Sequence, residues 1–121
     1  MSFNKKSNHS KLPRQELKLM LKLIGTLSHS GMVAGNNGDF DSALHNCKQA
    51  LLLAMELKKE CLVAKLLNNL GILYYQSGAW DEALLSYEKA MNVVIKNYGQ
   101  HNFLYKIIQK NITCLFSQHH N

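Results

Sequence analysis

Between Leu67 and Ile95, large and small apolar residues recur at helical intervals. Leu67, Leu70, Gly71 and Tyr74 fall on one face of a helix, and Ala83, Tyr87 and Ala90 on one face of a second. Ser77-Gly78-Ala79 separates the two. Asp81 and Glu82 then lie in the first turn of the second helix, where the helix dipole favours negative charge. The pattern predicts a helical hairpin with a specified inner face. Gly71 inside a helix costs about 1 kcal/mol relative to alanine, so its place implies close packing. Set opposite Ala83, it would let the helices approach while Tyr74 and Tyr87 fill the space on either side.

The same pattern extends in both directions. Leu17, Met20, Leu21, Ile24 and Leu27 form an apolar stripe behind Pro13, which suits a first helical turn, while Lys11, Arg14, Lys18 and Lys22 take the other side. The stripe is expected to pack on the next helix rather than lie on a membrane. Gly38-Asp39-Phe40-Asp41-Ser42-Ala43 repeats Gly78–Ala83 at an offset of 40 residues, which also pairs Gly31 with Gly71, Leu27 with Leu67, Cys47 with Tyr87 and Ala50 with Ala90. Ser30 and Ala34 stand where Leu70 and Tyr74 would be, so the first helix pair is less well filled. Gly35–Gly38 ends its first helix, Asp39 is a suitable N-cap for the second, and Lys58-Lys59-Glu60 carries the turn onward. After Asn97–Gln100, a fifth helix is predicted over Phe103–Gln118, and its Lys110–Phe116 aligns with Asn68–Tyr74 at an offset of 42. The implied organisation is a tail over 1–12 and one domain over 13–121. Within that domain, repeat one covers 13–58, repeat two 60–97 and a capping helix 102–118.

Large apolar residue, Leu-Gly, Tyr, Ala, aromatic and Ala at these offsets resemble the tetratricopeptide repeat. The resemblance implies an all-α superhelix of two hairpins plus the capping helix. The family's usual proline at the repeat end is Ile95 here. Spacings of 40 and 42, with Asn68-Asn69-Leu70-Gly71 and the Tyr98–His101 turn, are similar to the longer repeats of kinesin light chains and Leu-Gly-Asn-rich polarity adaptors. In the family, the first helix of each repeat lines a concave side. Carried over, the groove positions are His29, Lys65, Asn68, Asn69, Ile72, Tyr75, Gln76, Lys110, Asn111 and Cys114. Asn69 and Asn111 are equivalent, and as an amide ladder they would pair with the backbone of an extended peptide. The five-residue carboxylate clamp of chaperone-binding members would fall on Ser28, Met32, Asn69, Ile107 and Asn111. Asn69 alone fits, which argues against that role.

Composition adds compartment and charge. Three cysteines without paired spacing (Cys47, Cys61 and Cys114) suggest a reducing compartment, and no apolar run approaches a membrane span or a signal sequence, so a cytoplasmic location is expected. The net charge of +6 is concentrated in residues 1–22, where Lys5, Lys6, Lys11, Arg14, Lys18 and Lys22 face Glu16 alone. Such an end suits nucleic acid, an anionic lipid surface or an acidic protein, or serves solubility without a partner. Residues 1–12 hold little apolar content and read as disordered.

Catalytic chemistry finds little to carry it. There is no Gly-rich phosphate loop, no His-Glu-x-x-His and no Gly-x-Ser-x-Gly. His45 and Cys47 are two apart on a helix and share no face, so neither a metal nor another cofactor is expected. Asn8-His9-Ser10 and Asn111-Ile112-Thr113 match a glycosylation sequon but lack a secretory route. The expected function is therefore non-catalytic: an adaptor or scaffold holding a peptide or helix in the groove, with a homodimer through the C-terminal helix as a further possibility. The alternative is a basic N-terminal helix on nucleic acid or an anionic surface, with the repeats serving oligomerisation.

Overall fold

The computed structural model describes residues 12–119, the side chain of His119 excepted. They form five helices: α1 (Arg14–Asn36), α2 (Phe40–Glu56), α3 (Glu60–Gln76), α4 (Trp80–Tyr98) and α5 (Phe103–His119). Met1–Lys11, which include most of the expected tail and the first sequon, lie outside the described residues.

Most helix boundaries have a local cause. Pro13 is the N-cap of α1 rather than part of its first turn, with ψ at 144° and its carbonyl accepting from Leu17 N–H at 2.9 Å. The Asp39 carboxylate caps α2 by accepting from Ser42 N–H at 3.3 Å, and the Asn102 side chain caps α5 by accepting from Tyr105 N–H at 2.8 Å. Three of the four turns share one construction. Asp39, Lys59 and Ala79 donate their N–H groups to Ala34, Ala54 and Tyr74, at 2.9, 3.1 and 2.8 Å. The residue before each donor is left-handed: Gly38, Lys58 and Gly78, with φ of 83°, 56° and 85°. These are Schellman closures, which satisfy the last carbonyls of the preceding helix.

Helix pairs α1–α2 and α3–α4 pack as hairpins, and α2 and α4 hand each hairpin to the next helix in line. The core has two clusters. Ala43, Cys47, Ala50 and Ala54 of α2 meet Val63, Leu66, Leu70 and Leu73 of α3 in the first. Ala83, Tyr87, Ala90 and Val94 of α4 meet Ala64 of α3 and Ile108 and Leu115 of α5 in the second. α3 therefore sits between two cores and is buried on two faces.

The close approach within each hairpin differs from the simplest reading of the pattern. A Cβ at Gly71 would strike the Tyr87 ring, not Ala83: the ring itself lies across the glycine. In the first hairpin the equivalent of Tyr87 is the small Cys47, and the backbones come together instead. A Cβ at Gly31 would stand 3.0 Å from the Ala43 carbonyl oxygen and 3.4 Å from Cys47 N.

α5 ends the stack with a polar face. Where α3 presents Ala64, Leu67 and Gly71 to α4, α5 carries Lys106, Gln109 and Thr113. Thr113 at the glycine position would block a ring laid as Tyr87 is laid on Gly71.

Candidate concave groove

α1, α3 and α5 lie side by side, each touching the next, while α2 and α4 diverge. A cleft of about 510 Å³ opens between the outer pair, bordered by Leu51, Met55, Lys89 and Val93. This arrangement curves the stack and puts the three inner helices on its concave side. Charge divides along the same line. The inner helices carry Arg14, Lys18, Lys22, Lys65, Lys106 and Lys110 against Glu16 and Glu60. The outer helices carry Lys48, Lys89 and Lys96 against Asp41, Glu56, Asp81, Glu82 and Glu88.

The two intervals between inner helices are unlike each other. Between α1 and α3 runs a groove of about 480 Å³. Its floor is apolar, with Ile24 and Leu66 each only 2% exposed and Leu21, Met32 and Leu62 beside them. It is open because α1 is slight at this point: nothing lies within 4 Å of where a Gly25 Cβ would be, and Ser28 is the next residue along the groove. His29 and Lys65 stand at its rim, and no acidic residue lines it. Between α3 and α5 the corresponding space is filled. Asn68, at the position of Ser28, is buried at 6% exposure, and its carbonyl oxygen accepts from Asn111 Nδ2 at 2.8 Å.

The amides expected to form a ladder are thus engaged between helices, one residue out of the anticipated register. Asn69 Nδ2 donates to Ser28 Oγ at 3.2 Å across the α1–α3 groove, and Asn111 reaches Asn68 rather than aligning with Asn69. Of the other expected groove positions, His29 and Lys65 line the α1–α3 groove beside Asn69. Ile72 and Tyr75 are half-buried against the second core, and the Tyr75 ring meets Trp80 edge-on with centroids 4.9 Å apart. Gln76 is exposed at the end of α3, 3.5 Å from Asn36 Oδ1. Lys110 and Cys114 are exposed on α5. The floor residues escaped the sequence reading because they belong to the apolar core faces of α1 and α3. The available signal was Gly25, which unlike Gly31, Gly35 and Gly71 has nothing within 4 Å of where its Cβ would be.

Two ionisable groups lie beneath this surface. Burial pushes the Cys47 thiol up from 9.0 to about 12, and its Sγ–H donates to the Leu66 carbonyl at 3.7 Å. Burial, reinforced by Tyr75 and Cys114, raises the Tyr87 phenol from 10.0 to about 12. Both stay neutral, as core members. Among the described residues, no group of three or more His, Cys, Asp or Glu side chains is placed to hold a metal, and no helix is long and apolar enough to cross a membrane.

Stacked antiparallel hairpins with a shared inner face define a helical solenoid of the protein-interaction class. The profile of the tetratricopeptide repeat matches residues 23–96, more than half of the chain, and the protein belongs to that family. Comparison with curated proteins and with solved structures gave no significant match. Repeats of this family generally serve as protein-interaction modules.

Proposed function

We propose that the chain is a small adaptor that holds a segment of a partner protein in the α1–α3 groove. The segment is acidic and carries an apolar anchor. The observation that supports this reading most directly is the groove itself: an apolar floor, opened by Gly25 and Ser28, with His29 and Lys65 at the rim and no carboxylate. An apolar side chain on Ile24 and Leu66 would supply most of the affinity, as anchors do at protein interfaces. Lys65 would select sign and speed encounter. The Asn69 amide, already bonded to Ser28, has remaining capacity to meet the segment's backbone.

Selection of ligands from a displayed library of random peptides tests this. Wild-type protein should enrich acidic sequences with a spaced apolar residue. Gly25→Leu fills the groove from an open position, so it should remain folded by circular dichroism and lose the selected peptides by tenfold or more, roughly 1.4 kcal/mol. Lys65→Glu should weaken them about fivefold, the scale of one exposed charge pair. Peptides that bind Gly25→Leu as well as wild type would remove the groove from consideration. If their binding also falls steeply with salt, the site moves to the exposed basic stripe of Arg14, Lys18 and Lys22.

A further inference from the structure

Charge in this fold is also sorted along the helix axes. The five helices alternate in direction, so the start of α1, the α2–α3 turn and the α4–α5 turn gather at one end of the stack. The α1–α2 and α3–α4 turns gather at the other. That second end carries Asp39, Asp41, Asp81 and Glu82, all exposed, with no lysine or arginine within two helical turns among the described residues. The first end is the reverse. Arg14 and Lys18 of α1, Lys58 and Lys59 of the α2–α3 turn, Lys96 of α4 and Lys106 of α5 are exposed there, against Glu16, Glu56 and Glu60. Lys5, Lys6 and Lys11 precede α1 in the chain, which enters the fold at this end. The basic end also exposes apolar side chains at its corners. Phe103, the first residue of α5, is 78% exposed, and Tyr98, the last of α4, 49%. Across the end, Met55 in the last turn of α2 is 54% exposed.

We propose that this end of the stack docks on the surface of a bilayer bearing anionic lipid, with the acidic end directed away. Lys58, Lys59, Lys96, Lys106 and Phe103 lie outside the α1–α3 groove, and none belongs to α1, so the site is neither the groove nor the basic stripe alone. Each lysine or arginine brought to an anionic membrane surface strengthens binding about fivefold. The intervening carboxylates subtract from that attraction, and shallow insertion of Phe103, Tyr98 and Met55 adds to it. Aromatic rings settle at headgroup depth, and lysine stems lie along the apolar surface with their ammonium groups in water. Because the charge runs from acidic to basic along the stack, an extended anionic plane turns the molecule the right way before contact. A nucleic-acid strand is matched less well. It calls for a track of cations beside stacking rings, whereas here the cations and apolar tips are spread over the ends of all five helices.

Co-sedimentation with vesicles of phosphatidylcholine, alone or with about one-third phosphatidylserine, tests this. Wild-type protein should bind the anionic vesicles, leave them as salt rises, and ignore the neutral ones. Lys96→Glu with Lys106→Glu changes two exposed side chains, so its helical circular dichroism should match wild type while binding weakens by about tenfold or more. Phe103→Ser should weaken it about threefold. Fluorescence reads the orientation. Phe103→Trp should shift to the blue on anionic vesicles, whereas wild type, whose one tryptophan, Trp80, stands at the acidic end, should not. The proposal fails if wild type does not bind anionic vesicles at low salt. It fails equally if binding survives Lys96→Glu with Lys106→Glu but is lost in Arg14→Gln with Lys18→Gln, which would place the site on α1. Binding of a single-stranded oligonucleotide through these lysines, without binding of vesicles, would overturn it in favour of nucleic acid.

Discussion

At the scale of single residues, the glycines of the inner helices fall into two physical classes, and substitution should separate them by sign. Gly71 lies under the ring of Tyr87, which is itself only 3% exposed and cannot swing away. Gly71→Ala gains up to about 1 kcal/mol of helix propensity. It loses more by forcing that ring and its neighbours apart, since overpacking a tight core costs about 1–3 kcal/mol. The expected net result is destabilisation by about 1 kcal/mol. Gly25 has open space where a side chain would begin, so Gly25→Ala keeps the propensity gain and should stabilise by about 0.5–1 kcal/mol. Urea denaturation of the two variants against wild type checks both signs. If Gly71→Ala stabilises, the Tyr87 ring is not confined as the packing implies.

At the scale of elements, the three Schellman turns make a comparison within one molecule. Gly38 and Gly78 enter the left-handed region without cost, but Lys58 does so with φ at 56° and a Cβ. That conformation costs an L-residue about 1–2 kcal/mol, partly returned because lysine also has less freedom than glycine when unfolded. Lys58→Gly should therefore stabilise by about 0.5–1 kcal/mol, whereas Gly78→Lys should destabilise by a similar amount. Thermal melts of both would show whether the turn between repeats really shares the geometry of the turns within them. The sequence shows why this level was largely legible. The 40-residue offset, the Gly-Asp and Gly-Ala turns and the apolar stripes each arise from local constraints, and the five helices lie where those constraints put them. Packing partners were less legible. Which side chain covers Gly71 depends on how the long Tyr87 side chain leans along its helix, a direction that spacing alone does not carry. The amide pairs are displaced for a related reason: Asn69 meets Ser28 and Asn111 meets Asn68, because neighbouring inner helices are offset by one residue. The groove between α1 and α3 is legible only in retrospect, through Gly25.

At the scale of the whole molecule, the two cores each contain one group that burial keeps protonated, and both are joined through α3. Cys47 belongs to the core shared by α2 and α3, and Tyr87 to the core shared by α3, α4 and α5. In the folded protein both hold their protons to about pH 12, whereas once unfolded they release them near 9.0 and 10.0. Above pH 9 the unfolded chain therefore binds fewer protons than the folded one, and stability falls with rising pH. The contribution is fully present below pH 9 and is lost progressively toward pH 12, each group at full effect accounting for about 1.4 kcal/mol per pH unit. Urea midpoints measured from pH 7 to 11 should be flat up to about 9 and then decline. Cys47→Ala should be less stable at pH 7 but delay the onset of the decline, and Tyr87→Phe should shallow the slope above pH 10. Because Val63, Leu66, Leu70 and Leu73 of α3 serve one core while Ala64 serves the other, neither hairpin can be released without exposing the helix that completes its neighbour. Both variants should accordingly alter a single transition. Two resolved transitions, with Cys47→Ala moving one and Tyr87→Phe the other, would mean that α3 does not couple the repeats.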